Sequence, residues 1–263
     1  MVQRKFKLKI KQVIKPICDL RLKPELNSNL ETQLLFGEKI KIINENEKQW
    51  VLCQSIEDDY TGYIKKNNLG DLKNTNYKIT NLSCFIYKLP DIKSGVVSKL
   101  FLNSKISATK NETDWLSVFF KNKKYYIHHK DVNLINKYPN SSWVDLCIKF
   151  LNTPYLWGGK SHLGLDCSAL VQLAIQSVNK RFPRNTDEQF KSNILKNVSE
   201  RELDKGTLIF WKGHVAIAIN KTEIIHANAY HMQVAIESLR EAKKRIEPLY
   251  GKIIGYKKLI KEN

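Results

Sequence analysis

The stretch that most constrains this chain runs from Pro154 to Gln172. Pro154-Tyr155-Leu156-Trp157-Gly158-Gly159 is turn-prone, and Asp166-Cys167-Ser168 follows after a short gap. From Ser168 on, Ala169, Leu170, Leu173, Ala174 and Val178 recur at helical spacing, which predicts an amphipathic helix. Asp166 stands where an N-cap stands. Cys167 therefore falls at a helix N-terminus, where unpaired N–H groups and the helix dipole favour a thiolate, the form that attacks a carbonyl. Alone, such a cysteine proves little, because a free cysteine also serves as a small buried hydrophobe.

Two histidines downstream change the argument. His214 opens Gly213-His214-Val215-Ala216-Ile217-Ala218-Ile219, and His226 sits in Ile224-Ile225-His226-Ala227-Asn228. Both runs are short and apolar, as neighbouring strands are, and Lys221-Thr222-Glu223 supplies a turn between them. Residues equidistant from such a turn face each other on one side of the sheet. One imidazole can then take the thiol proton while the other orients it, the order of nucleophile, base and orienter.

These residues, in this order, resemble the NlpC family of bacterial cell-wall cysteine peptidases, over roughly residues 141–257. The resemblance implies a papain-like fold, with the cysteine on the first core helix and the histidines on an antiparallel sheet. It implies Cys167 as nucleophile, His214 as general base and His226 as the residue orienting His214. Tyr155 matches the tyrosine that assists the oxyanion site, where the Cys167 N–H is the other donor. The expected Pro-Gly-Asp-Leu strand is represented by Lys205-Gly206-Thr207-Leu208, so two of its residues differ.

The segment before this domain is rich in strands. Ile17–Leu22, the alternating run Gln33–Ile43, Trp50–Cys53, Tyr60–Ile64 and Asn68-Leu69 have the spacing of a small barrel. Their order is similar to a bacterial SH3-like domain. A weaker copy spans about 77–135, with Gly95–Leu100, Trp115–Val118 and Tyr125–Ile127 aligned to the first, and His128-His129 as a solvent-facing strand end. The expected architecture is α+β: a papain-like catalytic domain at 139–263, after SH3-like barrels at 1–74 and 75–138. A polar linker with Pro139 leads to a helix capped by Ser141 or Ser142, with Cys147 in the core. Trp157 is expected as a packing anchor.

The net charge is +18, which suggests a nucleic-acid partner. The lysines are spread along the chain, though, and Asn and Ile are also abundant, so no specific nucleic-acid partner is expected. Five cysteines, at 18, 53, 84, 147 and 167, have neither zinc-type nor disulfide spacing. That favours a reducing compartment. Met1–Ile14, a lysine-flanked strand or basic arm, lacks the apolar core of a signal peptide, and no run approaches the roughly 20 apolar residues of a membrane span. The expectation is cytoplasmic, with no membrane partner.

The segment Phe182–Gln189 begins a second helix, capped by Thr186 or Asn185, and resembles the family's Pro-Arg segment; Arg184 is either a fork able to hold a substrate carboxylate or a structural bridge to the loop. His162 precedes Cys167 on a loop where the family has no base. A zinc site from Cys167, His214, His226 and His231 fits the spacing less well than a peptidase does, so no metal or cofactor is expected. Gln233–Glu237 and Lys252–Lys258 read as further strands. Two barrels before an NlpC-type domain resemble the murein-peptide recycling enzymes, which cut between γ-D-glutamate and a diamino acid. By that resemblance the first barrel covers the active-site mouth, and Asp166, Ser168 and Tyr60 read the free amine of an N-terminal L-Ala, with Tyr63 competing for the role of Tyr60. The alternatives are an exported hydrolase of intact wall and a non-catalytic binder of wall fragments.

Overall fold

The computed structural model describes residues 9–45, 47–120, 123–137 and 142–260. Most of the expected basic arm, and Pro139 and Ser141 of the expected linker, lie outside the described residues. The chain divides into two compact units, Met1–Ile135 and Asn136–Asn263.

In the first unit, Ile10–Val13 (β1), Ile17–Arg21 (β2), Leu30–Leu35 (β3), Lys39–Asn44 (β4), Trp50–Ser55 (β5), Thr61–Lys65 (β6) and Leu69–Gly70 (β7) make one sheet. Its order is β3-β2-β6-β5-β4-β1-β7. Alternation along these strands puts Val13, Cys18, Leu20, Leu34, Ile40, Val51, Cys53 and Ile64 into one core. The run expected as a single strand over Gln33–Ile43 is broken by a turn at Phe36-Gly37. Gly37 has φ 84°, and a Cβ there would lie 2.0 Å from the Lys105 carbonyl oxygen. Only glycine meets both conditions.

Tyr77–Ile79 (β8), Ser83–Tyr87 (β9), Val96–Phe101 (β10), Lys105-Ile106 (β11), Ala108–Lys110 (β12), Trp115–Phe120 (β13), Lys123–His128 (β14) and Val132–Leu134 (β15) follow. They form sheets of order β10-β9-β14-β13-β12 and β11-β8-β15. Read with β12 and β11 as one strand broken at Ser107, this is the strand order of the first seven. A 3-10 turn precedes the last strand in both sets, at Lys66–Asn68 and His129–Asp131. Phe36 packs onto the core of the second set, 5.3 Å from Phe120 between ring centres.

The second unit begins with Trp143–Lys149 (α1), capped by the Ser142 hydroxyl, which accepts from Val144 N–H. A short hairpin of Lys160-Ser161 (β16) and Gly164-Leu165 (β17) leads into Cys167–Ser177 (α2), then Thr186–Phe190 (α3). Leu195–Val198 (β18), Thr207–Trp211 (β19), His214–Ala218 (β20), Glu223–Asn228 (β21), Gln233–Ser238 (β22), Leu239–Tyr250 (α4) and Gly255–Leu259 (β23) complete it. The antiparallel sheet runs β18-β23-β19-β20-β21-β22. Four elements of this unit were not expected from the sequence: β16, β17, β18 and α4. Helix α2 was expected to be amphipathic, yet every residue except Gln176 is buried. It is apolar nearly all round and packs on β20 and β21, as a central helix does.

On one face of the sheet, Ile209, Trp211, Ala216, Ala218 and Ile224 pack with Leu239, Ala242 and Ile246 of α4. Side chains alternate along a strand, so His214 and His226 project to this same face. Glu237, which pairs with Ile224, does so too.

Candidate active site

Asp166 ends the β16–β17 hairpin in extended backbone, φ −102° and ψ 179°, and its Oδ1 accepts from Ala169 N–H at 2.9 Å. The expected cap is therefore present, and Cys167 is the first residue of α2. The cysteine is 6% exposed. Its thiol lies 4.0 Å from the Thr186 hydroxyl. A helix start favours thiolate, but burial is the larger effect here. It pushes the thiol up to about 11, with the Asp166 charge acting the same way and a Val215 backbone bond and the Thr186 hydroxyl opposing.

Trp211 and His214 pair across a two-residue turn, where Gly213 takes φ 73°. The next turn differs from expectation. Strand β21 starts at Glu223, and Asn220 Oδ1 accepts from the N–H groups of Thr222 and Glu223 at 2.8 Å each. The register pairs Ile217 with Ile225 and Ala218 with Ile224, so His214 and His226 are diagonal neighbours, not direct opposites. Diagonal side chains on one face still reach each other. His214 Nε2 and His226 Nδ1 are 2.8 Å apart.

Behind them are two residues that sequence reasoning missed. His226 Nε2 is 2.7 Å from Glu237 Oε1, and the Arg245 guanidinium of α4 donates to the same oxygen. Burial pulls the His214 imidazole down to about 3, with the charges of His226 and Arg245 adding to this and Glu237 opposing. His226, fully buried, is lowered chiefly by burial as well, against the pull of Glu237. Burial alone raises the Glu237 carboxyl, but the bonds from His226 and Arg245 outweigh it and hold it at about 2.

Cys167 and His214 open onto one cavity of about 490 Å³, shared with Tyr155, Trp157, Tyr230 and Tyr250. Burial, then the charge of Cys167, raises the Tyr155 phenol above its ordinary range, so it stays a hydrogen-bond donor. Trp157 is 69% exposed on the cavity rim. This corrects the expectation of a packing anchor, since a ring on a cavity rim keeps most of its surface in solvent.

Asp166, Ser168 and Arg184 form a separate buried cluster. Arg184 donates from Nη1 to Asp166 Oδ1 and Ser168 Oγ, each at 2.8 Å, and from Nη2 to Asp166 Oδ2 at 2.7 Å. Gly158 N–H also donates to Asp166 Oδ2, at 2.9 Å. This corrects the reading of Arg184 as the fork for a substrate carboxylate. The side chain is 2% exposed, is turned onto Asp166, and does not line the cavity of Cys167 and His214. Helix α3 also departs from expectation: Asn185 holds the cap position without a side-chain cap bond, and the Thr186 hydroxyl faces Cys167.

Tyr60 belongs to the first unit, where its hydroxyl donates to Glu31 Oε2 at 2.7 Å. His162 does not line the cavity of Cys167 and His214, whereas His231 stands beside His226, 6.5 Å between ring centres, with its Nδ1 3.0 Å from Asn228 Oδ1. Among the described residues, His226, His231 and Glu237 present ligand atoms within 4.8 Å of one another, as do Asp114, His128 and His129. In the first set Glu237 already pairs with Arg245, whose charge opposes a bound cation. All five cysteines are free and buried. No helix among the described residues is long and apolar enough to cross a membrane.

Residues 152–246 match the model of the NlpC/P60 family, and residues 20–69 match that of the bacterial dipeptidyl-peptidase Sh3 domain. A protein of Lysinibacillus sphaericus named dipeptidyl-peptidase 6 is 28% identical over 258 residues, covering 90% of this chain and 93% of that one. A Bacillus subtilis protein named gamma-D-glutamyl-L-lysine dipeptidyl-peptidase is 25% identical, covering 81% of this chain and 77% of its own length. The crystal structure of an NlpC/P60 family protein from Bacillus cereus shares the fold, with a TM-score of 0.81 and 19% identity, over 96% of this chain and all of that one. Residues 152–246 are therefore an NlpC/P60 domain and residues 20–69 a bacterial dipeptidyl-peptidase Sh3 domain, joined in one chain.

Proposed function

We propose that the protein is a cysteine endopeptidase that hydrolyses the bond between γ-D-glutamate and a diamino acid in murein peptides bearing a free N-terminal L-Ala. The observation that carries this is the shared cavity. The Cys167 thiol at a helix start and the His214 ring, hydrogen-bonded to His226, open onto the same space. The names of the two relatives that cover most of the chain support the substrate class.

With Cys167 pushed up to about 11 and His214 down to about 3, the resting pair is neutral thiol and neutral imidazole. Proton transfer then accompanies attack. Cys167 Sγ bonds to the γ-glutamyl carbonyl carbon as its proton passes to His214. The Cys167 N–H and the Tyr155 hydroxyl hold the oxyanion. The C–N bond breaks as His214 returns the proton to the leaving amine. Water, giving a proton to His214, then cleaves the thioester and restores the thiol.

By resemblance Asp166 and Ser168 read the ammonium from the buried cluster next to the Cys167 and His214 cavity, with Arg184 holding the carboxylate in place. An acylated amine cannot make the contacts that a free ammonium makes with this carboxylate, so its discrimination rests on those lost contacts. Tyr60 belongs to the same reading by resemblance, and Tyr60→Phe tests it. The division into barrels at 1–74 and 75–138 and a catalytic domain at 139–263 is part of the proposal. It is supported by the strand order that repeats in the first unit. So is a cytoplasmic setting, supported by five free cysteines.

The experiment is to incubate purified protein with L-Ala-γ-D-Glu tripeptides ending in diaminopimelate or in lysine, and to follow release of the diamino acid. Release is expected with at least one, and none from Cys167→Ala or His214→Ala. Activity retained in Cys167→Ala overturns the proposal. Absence of release with the wild type favours a binding protein.

A further inference from the structure

The hydrogen-bond chain behind the two histidines has a direction, and the direction selects the reacting atom. At its far end, Glu237 Oε1 receives Arg245 and lies 2.7 Å from His226 Nε2. A carboxylate only accepts, so His226 Nε2 carries a proton. A neutral imidazole has one proton, so His226 Nδ1 is an acceptor. The 2.8 Å contact to His214 Nε2 is then a bond donated by His214. His214 is neutral too, which leaves its lone pair on Nδ1.

We propose that Glu237 and Arg245 are positioning residues: the carboxylate, held by the guanidinium, fixes the His226 proton on Nε2 and thereby leaves the base lone pair of His214 on Nδ1. This rests on His214 being the base. When Nδ1 takes a proton, the Nε2–H bond to His226 is unchanged, so no ring turns and no tautomer shifts during reaction. Arg245 has a second task. Its guanidinium lies 4.2 Å from the Tyr230 ring centre, so the carboxylate is clamped between β22 and α4 by a residue that is itself stacked.

The two residues act on the imidazoles with opposite sign. Glu237 favours the protonated rings and Arg245 disfavours them. The other titratable groups around the rings are Cys167, Tyr155, His231, Tyr230 and Tyr250. None of the three variants below removes any of them.

The test is long-range ¹H–¹⁵N spectroscopy of histidines in the full chain near neutral pH. Both His214 and His226 are expected as the Nε2–H tautomer. In Glu237→Leu, which leaves no acceptor, the Nδ1–H form is expected in at least one ring. In Arg245→Gln, both rings keep Nε2–H and protonate at higher pH than in the wild type. An Nδ1–H tautomer on His214 in the wild type overturns the proposal without any assay of activity. In the peptide assay, Glu237→Gln is expected to lower kcat by about 10- to 100-fold with KM little changed, and to move the acid limb of the rate profile down. Arg245→Gln moves that limb up. Shifts in the same direction in both variants mean that the pair merely ties α4 to the sheet, and overturn the proposal while leaving the peptidase reading intact.

Discussion

At the scale of single residues, the site is set by how burial redistributes protons. Cys167 sits at a helix start that favours thiolate, yet its thiol is pushed up to about 11. The account predicts that alkylation of Cys167, followed by peptide mass spectrometry, rises steeply with pH above neutrality. A flat rate between about pH 4 and pH 8 indicates a preformed thiolate–imidazolium pair instead. A second prediction concerns Arg184. Its fork satisfies both oxygens of a buried carboxylate, so Arg184→Met leaves Asp166 charged and unpaired. The loss is expected to be about 3–5 kcal/mol by chemical denaturation, far more than an exposed ion pair is worth. Cys167, His214 and His226 were legible because each lies within a short motif of fixed local geometry. Glu237 was not, because its partnership with His226 depends on the pairing of β21 with β22. Arg245 was not, because it belongs to a helix that went unrecognised. The exposure of Trp157 was not legible, because apolar character does not tell a packed ring from a cavity rim.

At the scale of elements, α4 is the instructive miss. Leu239, Ala242, Ile246 and Leu249 have helical spacing, Ser238 precedes them, and Gly251 follows with φ 83°, a stop that glycine supplies. Pro248 and the dense charges around those apolar positions obscured the pattern. The first three of these residues are buried against the sheet, so the helix holds the face that carries His214, His226 and Glu237. Leu239→Ala, at the start of the helix, is expected to cost about 2–4 kcal/mol in the second unit, measured by denaturant midpoint. The strands of the first unit were legible from alternation, but the turn at Phe36-Gly37 was not, since Phe36 continues the apolar pattern. Gly37→Ala combines a left-handed backbone with a Cβ at 2.0 Å from the Lys105 carbonyl. A loss of at least about 1–3 kcal/mol in the first unit is expected, with little change in the second.

At the scale of the whole molecule, the second unit is expected to be the more sensitive to acid. His214 is held near 3 in the folded chain and returns to about 6.5 on unfolding. The unfolded state therefore binds this proton first as pH falls. The associated stability is complete above about pH 6.5 and is lost between there and about pH 3, by up to about 1.4 kcal/mol per pH unit. His226 acts in the same direction. Glu237, lowered to about 2, adds a further loss below about 4.5. Thermal unfolding across this range is expected to show the second unit failing before the first, and equal sensitivity of both contradicts the assignment of buried neutral histidines. A net charge of +18 adds self-repulsion throughout. The most direct test of the central claim compares the rate constant kcat/KM for L-Ala-γ-D-Glu-diamino acid peptide with that for its N-acetylated twin. The account predicts cleavage of the free peptide through Cys167 and a fall of about 100-fold or more on acetylation. Equal cleavage of the two contradicts reading of the amine by Asp166 and favours a hydrolase of intact wall.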